Sequence, residues 1–567
     1  MSEFTTLRAA IAELVGDGDT VALEGFTHLI PFAAAHEIMR QQRRHLTLIR
    51  MTPDLIYDQM IGMGCAERLI FSWGGNPGVG SLHRFRDAVE HGWPQPLMIE
   101  EHSHAGMANR YVAGASNLPF AVLRGYVGTD LPKVTATITR IRCPFTGEEL
   151  MAVPALRPDV TIIHAQQADR QGNVALWGIT GIQKEAVFAA RRAIVTVEEV
   201  VDVLAPHASG IVLPAVALTA IAVVAGGAHP SYAHGYYARD NAFYAQWDAI
   251  SRDREAFRNW MERHVLGVDS FDEYLASVRQ AKTARAVGSS AQQRAAESDG
   301  SYTTDERAAE SDGSYTTDEM MTVAAARELR DGAVCFVGIG LPSEAANLAR
   351  VTHAPNCVLI YESGTIGAKP QVLPLSIGDG ELAEHATAVV SVPEVFNYWL
   401  QAGRIDVGFL GAAQIDRFGN INTTVIGPYD APKVRLPGAG GAPEIATSAR
   451  QVIVILRHKP QAFVEQLAFV TSVGHADGAQ LKRGYPGAGL TAVITDLGIL
   501  RPDPATRELT LTALHPGVSV AAARAATGWE LRIAEDLGTN DPPTEAELRN
   551  LRALHERTEA ARRLAEG

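Results

Sequence analysis

The chain is predicted to form two homologous open α/β domains with mainly parallel sheets, joined by a flexible linker. Three observations predict this. Apolar runs of strand length alternate with helical spacings, and glycine turns stand at the strand ends. The pattern of the first half begins again at Met321. A small, polar, acidic stretch separates the halves and cannot bury enough surface to fold alone.

In order, Thr5 to Val15 has apolar residues at helical spacing and ends at Gly16-Asp17-Gly18-Asp19. Thr20 to Leu23 reads as a strand, Glu24-Gly25-Phe26 as a turn, and a helix is entered near Pro31, which makes a βα unit. Leu46 to Arg50, Arg68 to Phe71, Leu97 to Ile99, Val160 to Ala165 and Ala193 to Val197 are further strands. From about Tyr232 to Ala281 the chain is polar, aromatic and helical.

The stretch Arg294 to Glu306 recurs without change as Arg307 to Glu319, which points to a recent duplication or an engineered join. After it, Ala324 to Arg330 is helical, Ala333 to Val337 a strand, and Gly338-Ile339-Gly340-Leu341-Pro342 leads into a helix, as Gly25 and Pro31 do earlier. Asp416-Arg417-Phe418-Gly419-Asn420 repeats Asp169-Arg170-Gln171-Gly172-Asn173 in four of five positions. Val358 to Tyr361, Val407 to Leu410, Val452 to Leu456 and Leu490 to Thr495 complete the strands, and an amphipathic charged helix follows about Asp541. The predicted boundaries are a first domain at 1–285, a linker at 286–320 and a second domain at 321–567.

Composition narrows the classes. At 567 residues two to four domains are expected, and a 46% hydrophobic content supplies large cores. A formal charge of −14 argues against nucleic-acid partners, which need clustered Lys and Arg. Cys65, Cys143, Cys335 and Cys357 are scattered, with no CxxC pair, and read as small buried residues of a reducing compartment. There is no basic-then-apolar leader, and no apolar run approaches the roughly 20 residues of a membrane span. A soluble cytoplasmic protein without a membrane partner is expected.

Glu362 stands at the end of the buried run Val358 to Tyr361, before Ser363-Gly364, and points toward the crevice where open α/β sheets bind ligands. A surface glutamate opening a loop fits position alone as well. Glu100-Glu101-His102-Ser103-His104 puts two carboxylates and two imidazoles together, either an acid–base site or a solvated strand end. The glycines of Trp73 to Ser81 permit close backbone approach to a ligand or form a plain loop. Gly438 to Ala446 reads as a nest of backbone N–H groups for an anion, or as a surface loop. Arg84, Arg86 and Arg110 either hold a distal carboxylate or make surface or phosphate contacts. No GxGxxG in strand context, GxxxxGK[ST] or metal-spaced ligand set occurs, so no nucleotide cofactor and no metal is expected.

Together these motifs resemble the class I coenzyme A transferases, in their glutaconate CoA-transferase branch. Residues 1 to about 285 resemble an α subunit through Glu24-Gly25-Phe26, Gly74-Gly75-Asn76, Glu100 to Ser103 and Gly106 to Arg110. Residues 321 to about 560 resemble a β subunit through Val337 to Pro342, Tyr361 to Gly364 and the Gly438 to Ile445 cluster. The resemblance implies a ping-pong CoA transfer from an acyl-CoA to a carboxylic acid through a glutamyl-CoA thioester on Glu362. It implies coenzyme A as substrate and no cofactor. It places oxyanion and CoA contacts at Val337, Gly338, Gly340, Gly440 and Gly441, and an acyl-positioning role at Asn420. Gly25, Phe26, Gly74, Gly75, Asn76 and Arg110 become substrate-binding candidates, and a homodimer resembling an α₂β₂ assembly is implied. Serine follows Glu362 where asparagine is common in the wider family. Relatives that hydrolyse or decarboxylate CoA thioesters, the ring-cleaving ones with a glutamate resembling Glu100 or Glu101, make that chemistry the alternative, with Glu101 as its catalytic candidate.

Overall fold

A computed structural model describes residues 3–207, 209–288, 315–475 and 489–566. The chain forms two compact units: Met1–Glu100 with Tyr111–Pro119 and Ala155–Glu306, and Glu101–Arg110 with Phe120–Pro154 and Arg307–Gly567. This corrects the predicted division at one point. Two segments of the first half, 101–110 and 120–154, belong with the second half.

Five parallel strands recur in both units, and in the first Ala66–Phe71 and Glu3–Phe4 extend the parallel array at its two ends. In the first they run in the spatial order Leu46–Ile49, Thr20–Glu24, Val160–Asp169, Arg192–Val201, Ala220–Val223. In the second the order is Val358–Ile360, Val334–Phe336, Val407–Leu410, Gln451–Ile455, Leu490–Ile494. The neighbour relations are the same, so the repeat seen in the sequence is a repeat of topology. Parallel sheets are covered on both faces, which is why these strands read as continuous apolar runs. Val160 and Ile162 join one core, whereas Ile163 and Ala165 join another. In the second unit Leu359, Tyr361, Val407, Phe409, Ile453 and Ile494 share one core. Each such Leu or Ile stabilises the fold by about 1.5–3 kcal/mol through burial.

The matched turns coincide in detail. Asp169 Oδ1 accepts from the amides of Gln171 and Asn173, both at 2.9 Å, and Asn173 Nδ2 donates to Oδ2 at 2.8 Å. Asp416 does the same with Phe418 at 2.9 Å, Asn420 at 3.0 Å and Asn420 Nδ2 at 2.8 Å. The second unit then departs from the first. Beyond Leu490–Ile494 it adds Gly498–Pro502, Leu509–Leu514 and Arg532–Thr539. It also includes the antiparallel sheet Phe120–Leu123, Glu149–Pro154, Thr139–Arg142.

Of the predicted linker, 289–314 lies outside the described residues. Its ends are helical. One helix runs Phe271–Gly288, and the next, Thr317–Arg327, starts inside the second copy of the repeat. Thr316 and Glu319 form a capping box there, each satisfying the other's backbone amide, so the helix begins seven residues before the predicted Ala324. Among the described residues no helix is long and apolar enough to cross a membrane. Cys65, Cys335 and Cys357 are buried as expected, but Cys143 is only half-buried.

Candidate active site

Glu362 follows Tyr361 at the carboxyl end of Val358–Ile360. The turn that carries it is fixed locally. The Tyr361 amide donates to Thr365 O and the Gly364 amide to Tyr361 O, both at 3.0 Å, and Gly364 O accepts from Val390 at 2.9 Å. Gly364 has φ +101°, and a Cβ there would lie 1.9 Å from Val390 O, so only glycine closes this turn. Ser363 is fully buried beside it.

The Glu362 carboxylate is enclosed at both oxygens. His104 Nδ1 lies 2.9 Å from Oε2, with the Glu362 side chain 16% exposed and that of His104 3%. Gly441 packs against Oε1 so closely that a Cβ would stand 2.5 Å away. Phe396 completes the wall, edge-on to His104 at 5.9 Å. His104 is held in turn by its amide, which donates to Gly440 O at 2.8 Å. Gly440 turns with φ +53° just before the helix Ala442–Ser448. Behind Glu362 sits Glu444, 2% exposed, whose Oε1 accepts from Ser103 Oγ at 2.7 Å. Burial, with the Glu362 charge adding to it, pushes the Glu444 carboxyl up to about 8.

Glu101 has a different environment from the one expected. Its side chain and that of Arg435 are both fully buried and pair at 2.6 Å. Thr424 Oγ1 and the Ala439 amide donate to Oε1 at 3.1 and 2.9 Å, and Tyr429 donates to Oε2 at 3.3 Å. With its charge paired and both oxygens accepting, Glu101 is an anchor that ties 101–110 to the second half rather than a free acid or base. Glu100, in the first unit, forms an ion pair with Arg68.

Several expected contacts are spent on structure. The Val337 amide donates to Ile360 O at 2.9 Å, which removes it as an oxyanion donor. Asn420 closes its turn through Nδ2 and accepts from the Gly474 amide at 2.6 Å, so its side chain braces the turn. Arg110 donates to Pro154 O at 3.1 Å and to His102 Nε2 at 2.8 Å. Arg84 pairs with Asp87 and Arg86 with Glu90. In the first unit Gly25 is required because a Cβ would meet His28 O at 2.7 Å, and Phe26 is buried against Gly181. Gly75 lies under the Trp73 ring, Gly74 sits beside Leu82 and Phe85, and Asn76 is buried with its amide on Gly80 O at 3.0 Å. Gly338 and Gly340 differ from these, since among the described residues a Cβ at either meets nothing within 4 Å. Glu381, Glu384 and His385 gather ligand-type atoms at a half-exposed surface, an arrangement the sequence did not single out.

The sequence profile of the coenzyme A transferase family matches residues 4–223 and 318–525. This chain therefore belongs to the coenzyme A transferase family and is a transferase enzyme. Its relatives include the two-subunit 3-oxoadipate CoA-transferase of Pseudomonas knackmussii. To the first of those subunits it is 64% identical over 282 residues, covering 50% of this chain and 100% of the relative. To the second it is 64% identical over 244 residues, 43% of this chain and 94% of the relative. One of the subunits of glutaconate CoA-transferase from Acidaminococcus fermentans is 36% identical over 233 residues, 39% of this chain and 87% of the relative. An acyl-CoA transferase of Escherichia coli O157:H7 shares the fold at TM-score 0.68 and 15% identity, over 95% of each chain. Two subunits that are separate in the relatives are thus similar to successive parts of one chain.

Proposed function

We propose that the chain transfers CoA between an acyl-CoA and 3-oxoadipate through a covalent adduct on Glu362. The observation that carries this is the enclosure of the Glu362 carboxylate: His104 at Oε2, Gly441 backbone at Oε1, and a side chain that remains partly open. A carboxylate is a weak nucleophile, so proximity and orientation must supply much of the rate.

Glu362 attacks the donor thioester carbonyl and expels CoA thiolate, leaving an acyl-glutamyl anhydride. The thiolate attacks the glutamyl carbonyl, which releases the donor acid and leaves a glutamyl-CoA thioester. The acceptor carboxylate attacks that thioester and the same two steps run in reverse. The His104 ring orients Oε2. The open backbone at Gly338 and Gly340 leaves room for the thioester to approach closely. Binding of the remote CoA moiety lowers the barrier at the reacting carbonyl. The 3-oxoadipate assignment rests on the 64% identity to both chains of the named relative. Hydrolysis or decarboxylation through Glu101 is less well supported, because Arg435 already neutralises that carboxylate. By likeness to two-subunit relatives, an assembly of two such chains fits best, and the four free cysteines fit a cytoplasmic location.

The test is to incubate the protein with an acyl-CoA, trap with borohydride or hydroxylamine, and map the modified peptide. Label on Glu362, loss of turnover in Glu362→Ala, and 3-oxoadipate-dependent formation of a new CoA ester by mass spectrometry are expected. Full activity in Glu362→Ala, or CoA release without an acceptor acid, overturns the proposal.

A further inference from the structure

We infer that Asn397 and Asn109 are a pair of positioning residues for this reaction, whose amide–amide hydrogen bond holds the His104 ring on the Glu362 carboxylate. The inference rests on the reading of Glu362 as nucleophile. It goes beyond that reading by assigning a role to two side chains that the transfer steps do not use.

The pair joins the two segments that carry the site. Asn397 Nδ2 donates to Asn109 Oδ1 at 2.9 Å, across 288 positions of the chain. Asn109 lies on the helix His104–Ala115, whose first residue faces Glu362 Oε2. Asn397 lies on the segment that leaves the Glu362 turn. There the Val390 amide donates to Gly364 O at 2.9 Å, and the chain then enters Val395–Gln401. The contacts close a circuit: from Glu362 through Gly364 and Val390 to Asn397, across to Asn109, and along the helix to His104, which meets Glu362 again. Asn109 is buried and Asn397 half-buried, so water competes little for their hydrogen bond.

Val395–Gln401 is a π-helix, and its i→i+5 turn is a rare form found mostly at functional sites. What it sets here is the ring of Phe396. That ring meets His104 and Phe336 edge-on, each at 5.9 Å, and its Cζ lies 2.9 Å from where a Gly441 Cβ would stand. Phe396 is therefore wedged between His104 and Gly441, the two groups that flank the Glu362 oxygens. Asn397, the next residue, fastens the segment in that register. Without the bond, Val395–Gln401 is free to return to α register, which turns Phe396 about the axis and lets the His104 ring tilt off Oε2. The pair also has a spare donor: Asn109 Nδ2 is buried and, among the described residues, has no hydrogen-bond partner. Half a turn about Cβ–Cγ puts Nδ2 where Oδ1 stood, so either asparagine can face a carboxylate in the other's place, but two carboxylates cannot face each other.

The experiment measures kcat, KM and the single-turnover rate of adduct trapping on Glu362 at pH 8, with the melting temperature alongside. The proteins are the wild type, Asn397→Ala, Asn397→Asp, Asn109→Asp and the double aspartate variant. Asn397→Ala is expected to lower kcat and the trapping rate roughly 10- to 100-fold, with KM for the acyl-CoA changed by less than about threefold. Each single aspartate variant keeps one amide donor opposite one carboxylate and is expected to stay within about fivefold of the wild-type kcat. The double variant sets two carboxylates against each other and is expected to fall at least as far as Asn397→Ala, well beyond the product of the single effects. A lower melting temperature in Asn397→Ala with wild-type kcat and trapping marks a merely structural bond; this inference then fails and the nucleophile reading stands. The same holds if the double variant shows only the product of the single effects. If wild-type Glu362 traps nothing, both readings fail. Should the double variant not fold, the contrast between Asn397→Ala and Asn397→Asp decides, and equal kcat in the two overturns the inference.

Discussion

Replacing Arg435 by methionine leaves the Glu101 carboxylate buried without its counter-charge. Both side chains are inaccessible to solvent at an ion-pair distance of 2.6 Å, so neither water nor salt can take the place of the missing partner. Breaking a buried pair on one side typically costs roughly 3–5 kcal/mol. Three neutral donors remain on Glu101, from Thr424, Tyr429 and the Ala439 amide, and hold the cost toward the lower end. At roughly 2–4 °C per kcal/mol in units of this size, the melting temperature should drop by about 6–20 °C. The double variant Arg435→Met with Glu101→Leu removes both charges and should recover most of the loss, because the pair itself contributes little net stability over apolar side chains. The assay is thermal unfolding followed by circular dichroism, with CoA-transfer activity measured on each variant below its transition. An unchanged melting temperature in Arg435→Met refutes the anchor reading. So does a Glu101→Gln variant that melts normally yet has lost all thioester turnover, since Glu101 would then be acting on substrate.

Gly441→Ala places a methyl against Glu362 Oε1 and should lower kcat/KM by roughly 10²-fold while circular dichroism shows a retained fold. Gly364→Ala must adopt φ +101° and displace the Val390 carbonyl, and is expected to destabilise by at least about 2 kcal/mol in urea titration. Glu444 links stability to pH. Its folded value, about 8, lies above the ordinary 4.5, so the folded state binds the extra proton. Its contribution is complete below 4.5 and is lost as pH rises to about 8, and the melting temperature of the wild type should fall across that window more steeply than that of Glu444→Gln.

What could be read from the sequence was local. Apolar runs such as Val160 to Ala165 and Val407 to Leu410 marked buried strands, because period and length alone set which faces a strand can cover. The recurring Asp-x-x-Gly-Asn turn closes on its own side chains within five residues, and both copies fold as the spacing demands. The position of Glu362 after its strand and before an obligatory glycine followed from the same short range. The helix start at Thr316 was also present as a capping box, but the repeat masked it as linker.

The environment of each carboxylate was not local. Glu101 meets Arg435 across 334 positions, and Ser103 meets Glu444 across 341. Charge state and hydrogen-bond supply depend on burial and on which groups the fold brings within about 3 Å, and neither is encoded in spacing along the chain. The sequence by itself determined two copies of one parallel α/β topology and a glutamate at the end of a buried strand, since periodicity and glycine chemistry act between near neighbours. Only the tertiary structure decided that Glu101 is neutralised, that Asn420 is a brace, and that Glu362 is flanked by His104, Gly441 and a buried acid at Glu444, because those outcomes depend on desolvation and on pairings that exist only after the chain has folded.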